Sequence, residues 1–257
     1  MVVRVLFFGM LKDLTGCAEE RLEVGAGARL ATVFDHYAAR FPRLGEMAES
    51  IVLARNQEFS RPEAALAEGD EVALLPPVSG GSGPAPATPA ETCCEDELGN
   101  YFAIVRAPID ARALAARLVR GGDGAVITFE GVVRDNSRGR ATSHLEYECY
   151  VPLALKKMRE IAVELLASYP VDRMAMVHRL GRLEIGETSV AIVVTSAHRR
   201  PAYEASLEAI NRLKRLVPIW KKEYFADGGA WAEGEWDASV PLRGGARRLE
   251  GTTRCSG

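Results

Sequence analysis

Gly69-Asp70-Glu71-Val72-Ala73-Leu74-Leu75-Pro76-Pro77-Val78-Ser79-Gly80-Gly81 decides how the rest of the chain divides. The Gly-Asp pair makes a turn and the apolar run after it makes a strand. Two prolines stop that strand, because neither offers an amide to a ladder. Gly80 and Gly81 then extend the backbone with no side chains, a shape suited to a narrow channel in a partner enzyme. Taken by themselves they equally suit the opening of a flexible linker. Linker composition does follow, in Ser82-Gly83-Pro84-Ala85-Pro86-Ala87-Thr88-Pro89-Ala90, and ordered pattern is expected to resume near Tyr101. The division is therefore a small domain over 1–81, a flexible linker over 82–100, a larger domain over 101–240 and a disordered tail over 241–257. As a loose coil the linker would span about 25 Å.

Working toward the N-terminus, residues 2–8 read as a strand, 10–16 as a short helical turn and 19–24 as a second strand. From Arg29 to Arg40, Leu30, Val33, Phe34, Tyr37 and Ala38 recur at helical spacing. Strands at 51–55 and 71–75 complete a mixed sheet over one helix, the β-grasp (ubiquitin-like) layout. Toward the C-terminus, Asp110 is a candidate N-cap for a helix over 111–119. Strands are expected at 125–133, 145–150, 174–179, 189–196 and 219–225, with helices at 152–168 and 201–216. That alternation predicts an α+β fold for the second domain, and no internal repeat is evident.

The net charge of −3 conceals an asymmetry. The first 81 residues carry −4, residues 82–100 another −4, and the remainder +5. Opposite charge on two halves can steer one onto the other, or draw a small anion to the basic half. Nucleic acid is not indicated, since no dense Lys/Arg run with interleaved aromatics occurs. No apolar stretch approaches the roughly 20 residues of a membrane helix. The opening Val2-Val3-Arg4-Val5-Leu6-Phe7-Phe8 lacks the features of a secretory signal, so the cytoplasm is expected. Five cysteines, Cys17, Cys93, Cys94, Cys149 and Cys255, form no metal-ligand pattern and suggest no disulfide framework.

Basic residues in the second domain fall into three groupings. Arg134 follows Phe129-Glu130-Gly131-Val132-Val133; His198-Arg199-Arg200 follows a strand and opens a helix; Lys214 ends that helix, with Lys221 seven residues later. Each singly fits a solvated surface residue or a helix-end charge. Jointly they suit an anionic substrate, because a helix N-terminus with His198 and Arg199 offers donors to a phosphate. Pro218 turns the chain so that Lys214 and Lys221 could converge, and two crowded ammonium groups prepare one for proton transfer.

Leu6-Phe7-Phe8, Asn56 and the stretch from Gly69 to Gly81 together resemble the small subunit of molybdopterin synthase, a family of ubiquitin-like sulfur carriers. Phe129-x-Gly131-x-Val133-Arg134, His178-Arg179-Leu180-Gly181, Thr195-Ser196-Ala197-His198-Arg199 and Lys214-x-x-x-Pro218-Ile219-Trp220-Lys221-Lys222-Glu223 resemble its large subunit over about 101–235. The first resemblance implies that Gly81 is adenylated by an ATP-dependent activating enzyme and converted to a thiocarboxylate with sulfur from a sulfurtransferase. Gly81 is in peptide linkage to Ser82, so cleavage after Gly80-Gly81 is expected first; the alternative is a scaffold domain beside a separate carrier. A carrier serving thiamine or thionucleoside synthesis is a further alternative.

The second resemblance implies sulfur insertion into cyclic pyranopterin monophosphate to form the molybdopterin dithiolene. On it, Lys214 and Lys221 fall on catalytic positions, Arg134, His198 and Arg199 on substrate-binding positions, and Phe129 on a pocket-lining one. It also implies a homodimer through the large domain, and no metal or organic cofactor. One departure is Gly234-Glu235-Trp236, where the family can carry an arginine that reaches the neighbouring subunit.

Overall fold

A computed structural model describes residues 1–77, 91–137, 139–225, 228–232 and 236–241. The expected cleavage site Gly80-Gly81-Ser82, Glu235 and the tail from residue 242 onward lie outside the described residues.

The first domain runs β1 (Val2–Phe7), α1 (Met10–Thr15), β2 (Glu19–Glu23), α2 (Leu30–Arg40), α3 (Pro42–Glu46), β3 (Val52–Arg55), β4 (Glu58–Phe59) and β5 (Glu71–Leu75). Its sheet has the order β2-β1-β5-β3-β4, with β1 parallel to β5 and antiparallel to β2. Alternation along β1 sends Val3, Val5 and Phe7 to one face, where Leu30, Val33, Phe34 and Tyr37 of α2 cover them. Asn56 and Gln57, at φ 50° and 64°, make the two-residue turn that joins β3 to β4. Asp70 fastens the approach to β5 by accepting from Arg55 Nε (2.7 Å), Asn56 Nδ2 (2.8 Å) and Ala67 N (2.8 Å). Burial acts to raise its carboxyl, but these donors outweigh it and hold it below its ordinary value.

The second domain runs β6 (Glu91–Glu95), β7 (Tyr101–Val105), α4 (Ala111–Leu118), β8 (Ala125–Val132), β9 (Asn136–Ser137), β10 (Arg140–Cys149), α5 (Val151–Ser168), β11 (Arg173–Arg179), β12 (Gly181–Glu184), β13 (Thr188–Ser196), α6 (Arg199–Leu216), β14 (Ile219–Phe225) and β15 (Gly228–Trp231). One sheet has the order β6-β7-β11-β13-β8, and a second has β12-β10-β14-β15. Helices α5 and α6 bury Ala154, Met158, Ala205 and Ala209 against one face of the first of these sheets; α4 covers its other face. The N-cap at Asp110 is present, its Oδ1 accepting from Ala113 N at 2.8 Å.

Two expectations need correction. Residues 91–100 are not linker: β6 pairs with β7 from Glu91↔Val105 to Glu95↔Tyr101, and Asp96 closes the turn by accepting from Leu98 N and from Asn100 N and Nδ2. Cys94 packs half-buried against the core, where burial raises its thiol, while Cys93 faces outward. The strand expected from residue 145 begins five residues earlier, because Arg140 and Ala141 pair with β9.

The second face of the first domain's sheet carries Leu6, Phe8, Val52, Ala54, Ala73 and Leu75, and it is buried against Tyr150, Leu153, Trp220, Trp236 and Val240. A strand apolar on both faces needs cover on both, and here the second layer comes from the other domain. Phe8 stacks on Trp220 with centroids 5.1 Å apart, and Trp220 Nε1 donates to Pro76 O at 3.2 Å.

Candidate active site

Strand β14 positions the site by alternation. Trp220 points to the first domain, while Ile219, Lys221 and Glu223 point the other way, into a cavity of about 700 Å³. Helix α6 ends at Leu216, and Val217-Pro218 lets the chain enter β14 directly, so Lys214 in the last helical turn lines the same cavity as Lys221. Phe129 on β8 and Arg134 just past it line the cavity too. Four of the residues singled out in the sequence, Phe129, Arg134, Lys214 and Lys221, are thus brought together.

His198 and Arg199 are not brought to them. His198 is the N-cap of α6 and both residues are exposed. Sixteen residues of helix separate His198 from Lys214, roughly 24 Å at 1.5 Å per residue. The expected convergence of all the basic groupings therefore fails within a single chain, because a straight helix keeps its two ends apart.

Four further residues at the cavity, Glu223, His178, Tyr147 and Thr142, were given no role by the sequence, although His178 and Glu223 stand within the motifs quoted above. Glu223, two residues past Lys221 on the same face of β14, pairs with Lys221 Nζ at 2.6 Å. Burial acts to raise its carboxyl, but hydrogen bonds from Lys221 and Ser137 and the charges of Lys221 and Arg134 outweigh that and hold it below its ordinary value. Period-two spacing from Lys221 was the signal for it. His178 on β11 is buried in the cavity wall, with Nδ1 2.9 Å from Arg179 O. A carbonyl only accepts, so Nδ1 carries the hydrogen. Burial pushes this imidazole down to about 4, and Tyr147 meets it edge-on at 4.9 Å. Thr142 Oγ1, also at the cavity, is buried with no hydrogen-bond partner among the described residues. Nothing in the local sequence marks Tyr147 or Thr142, whose places depend on pairing of β10 with β12 and β14.

Arg134, Lys214, Arg215 and Lys221 supply positive charge to the cavity, Glu223 pairs with one of the lysines, and Phe129 and Tyr147 offer aromatic surface, a lining complementary to an anion. Among the described residues no group of three or more His, Cys, Asp or Glu is gathered to hold a metal ion, and no helix is long and apolar enough to cross a membrane.

Two family models match the chain, the MoaE protein over residues 104–216 and the ThiS family over residues 5–81. The molybdopterin synthase catalytic subunit of Halalkalibacterium halodurans is 41% identical over 149 residues, covering 58% of this chain and 95% of that protein. Its counterpart from Bacillus subtilis (strain 168) is 42% identical over 130 residues, covering 51% and 83%. Among solved structures, the X-ray crystal structure of molybdopterin synthase from Staphylococcus aureus shares 42% identity, covers 50% of this chain and 94% of its own, and superimposes with a TM-score of 0.49. Through its second domain the chain belongs to the molybdopterin synthase catalytic-subunit family, and it carries a ThiS-family domain ahead of it in the same polypeptide.

Proposed function

We propose that this chain is a molybdopterin synthase that holds its own sulfur carrier, transferring two sulfurs to cyclic pyranopterin monophosphate. One observation carries the reading. Trp220 grips the carrier domain at Pro76, where its C-terminal tail begins, and the next residue, Lys221, opens into the cavity that Lys214 shares. The four residues from Val78 to Gly81 reach at most about 14 Å, which suits delivery of the tail end to the two lysines.

The chemistry assigned to the tail requires a free end, so we propose cleavage between Gly81 and Ser82 before loading. An ATP-dependent enzyme adenylates Gly81, a sulfurtransferase supplies sulfur, and the thiocarboxylate results; we place these steps in the cytoplasm. The thiocarboxylate sulfur then attacks a carbon of the substrate as a carbon–oxygen bond there breaks, the oxygen leaving on the phosphate as its ring opens or, protonated, as water, and the carbon is left joined to Gly81 as a thioester. Lys214 polarises the thioester carbonyl, Lys221 moves the proton of the attack, and water releases the carrier with a carboxylate at Gly81. Each sulfur consumes one loaded carrier, so one product needs two carriers or one reloaded.

Arg134 binds the phosphate and Phe129 walls the pterin. His198 and Arg199 we assign to the cavity of a second copy. Strand β8 is the outer strand of its sheet, and Val126 and Val132 on it are 38% and 48% exposed. A long unpaired edge is a template for pairing. Two-fold antiparallel pairing of β8 would lay the Ala125 end of one copy, beside His198, against the Val132 end of the other, beside Arg134.

Intact-mass measurement on protein from its own cells tests the reading. We expect fragments ending at Gly81 and starting at Ser82, with part of the former about 16 Da heavier as oxygen gives way to sulfur. An uncut chain that makes product only with a separate carrier would reduce the first domain to a scaffold.

A further inference from the structure

The surface joining the two domains is apolar at its centre, and one of its outer ion pairs is well exposed, with Lys156 at 41% and Glu58 at 66%. One pair departs from this. Glu148 on β10 is held on both carboxylate oxygens by the first domain: Oε1 accepts from Gly9 N–H, and Oε2 accepts from Lys12 Nζ. Both side chains are buried, Lys12 at 5% exposure and Glu148 at 9%. Gly9 reaches Glu148 from φ 59°, ψ −143°, backbone geometry essentially restricted to glycine. The pair also runs against the charge of the rest of the junction. Elsewhere first-domain carboxylates meet second-domain donors: Glu71 with Tyr150, Glu58 with Lys156, Asp13 with Lys222.

A buried ion pair adds little net affinity, because desolvation offsets the attraction; removing one partner, however, strands a charge in apolar surroundings. Such a pair discriminates far better than it binds. We propose that Lys12 and Glu148 are a recognition pair that restricts the catalytic domain to carrier domains presenting a cation at the position of Lys12 beside a glycine amide. A ubiquitin-like carrier with an apolar or acidic side chain there is rejected, and a second copy of residues 1–81 is accepted. The proposal rests on the sulfur-carrier reading, since selection matters only when a spent carrier leaves this face and competes with others on return.

The test uses the full chain with Lys12→Met, Glu148→Gln, and both together, read by hydrogen exchange of the amides around Phe8, Gly9 and Trp220. Glu148→Gln retains an acceptor for the Gly9 amide. We expect each single change to speed exchange at this surface about a hundredfold, and the double change to bring it back within about tenfold of the parent. Single variants that stay folded and exchange within a few-fold of the parent overturn the proposal, as does a double variant no better protected than the singles. Glu148→Gln leaves the first domain untouched, so its result decides the matter should Lys12→Met fail to fold. Exchange needs no substrate and no thiocarboxylate. Failure of sulfur transfer with this exchange pattern intact would sink the synthase reading and leave the recognition pair standing.

Discussion

Trp220 and Lys221 are neighbours in the chain that serve opposite sides of one strand: the indole holds the carrier's exit strand while the ammonium faces the cavity. If Lys221 moves the proton and Lys214 polarises the thioester, Lys221→Ala and Lys214→Ala should each lower product formation at least about a hundredfold. Both side chains lie at the cavity and outside the buried core, so Lys214→Ala should hardly change the melting temperature, while Lys221→Ala also strips the buried Glu223 of its partner and should lower it; product at parental rates would remove them from the mechanism. His178 makes a separate prediction about stability. Its imidazole titrates near 4 when folded, against 6.5 for the ordinary group. Between those values the unfolded chain binds the proton and the folded chain does not, so stability is full above pH 6.5 and falls as pH drops toward 4. The loss amounts to ~3 kcal/mol for a shift of this size. Thermal melts across that window should show the slope in the parent and a shallower one in His178→Phe.

At the scale of elements, the length of α6 and the open edge of β8 carry most of the consequence. An eighteen-residue helix cannot bring His198 and Lys214 to one small substrate, so the assigned role of His198 and Arg199 requires a second chain. Val126→Lys with Val132→Lys should then shift the protein from dimer to monomer by light scattering and abolish product. A sharper test mixes two inactive full-length proteins, Lys221→Ala and His198→Ala with Arg199→Ala. Half the mixed dimers pair unlike chains and each of these has one intact site, so about a quarter of parental activity should return. No recovery from a mixture shown to exchange chains would return His198 and Arg199 to a surface role.

Across the whole molecule, two domains that sequence composition separates are joined by one apolar surface of Leu6, Phe8, Leu75, Tyr150 and Trp220. Coupling of this kind makes domains unfold together, and Phe8→Asp places a charge at its centre. Calorimetry should show one transition in the parent and two in the variant; two in both would mean that the junction contributes little stability. Strong local signals made both domains legible from sequence: the turn-strand-proline stretch at Gly69-Pro77, the 3.6-residue spacing of α2 and the break at Pro218 all act within a few residues of themselves. Arg134, Lys214 and Lys221 stood out as basic residues at strand and helix ends, the family resemblance added Phe129, and all four line one cavity. Three things required the tertiary structure. Residues 91–95 form a strand only because β7 offers an edge to pair with, and their composition alone reads as linker. Tyr147 and His178 meet because strands of two different sheets pack against each other, and Glu148 finds Gly9 and Lys12 only across the domain junction. The distance between the two ends of α6 follows from the rigidity of a helix, which no list of basic residues contains.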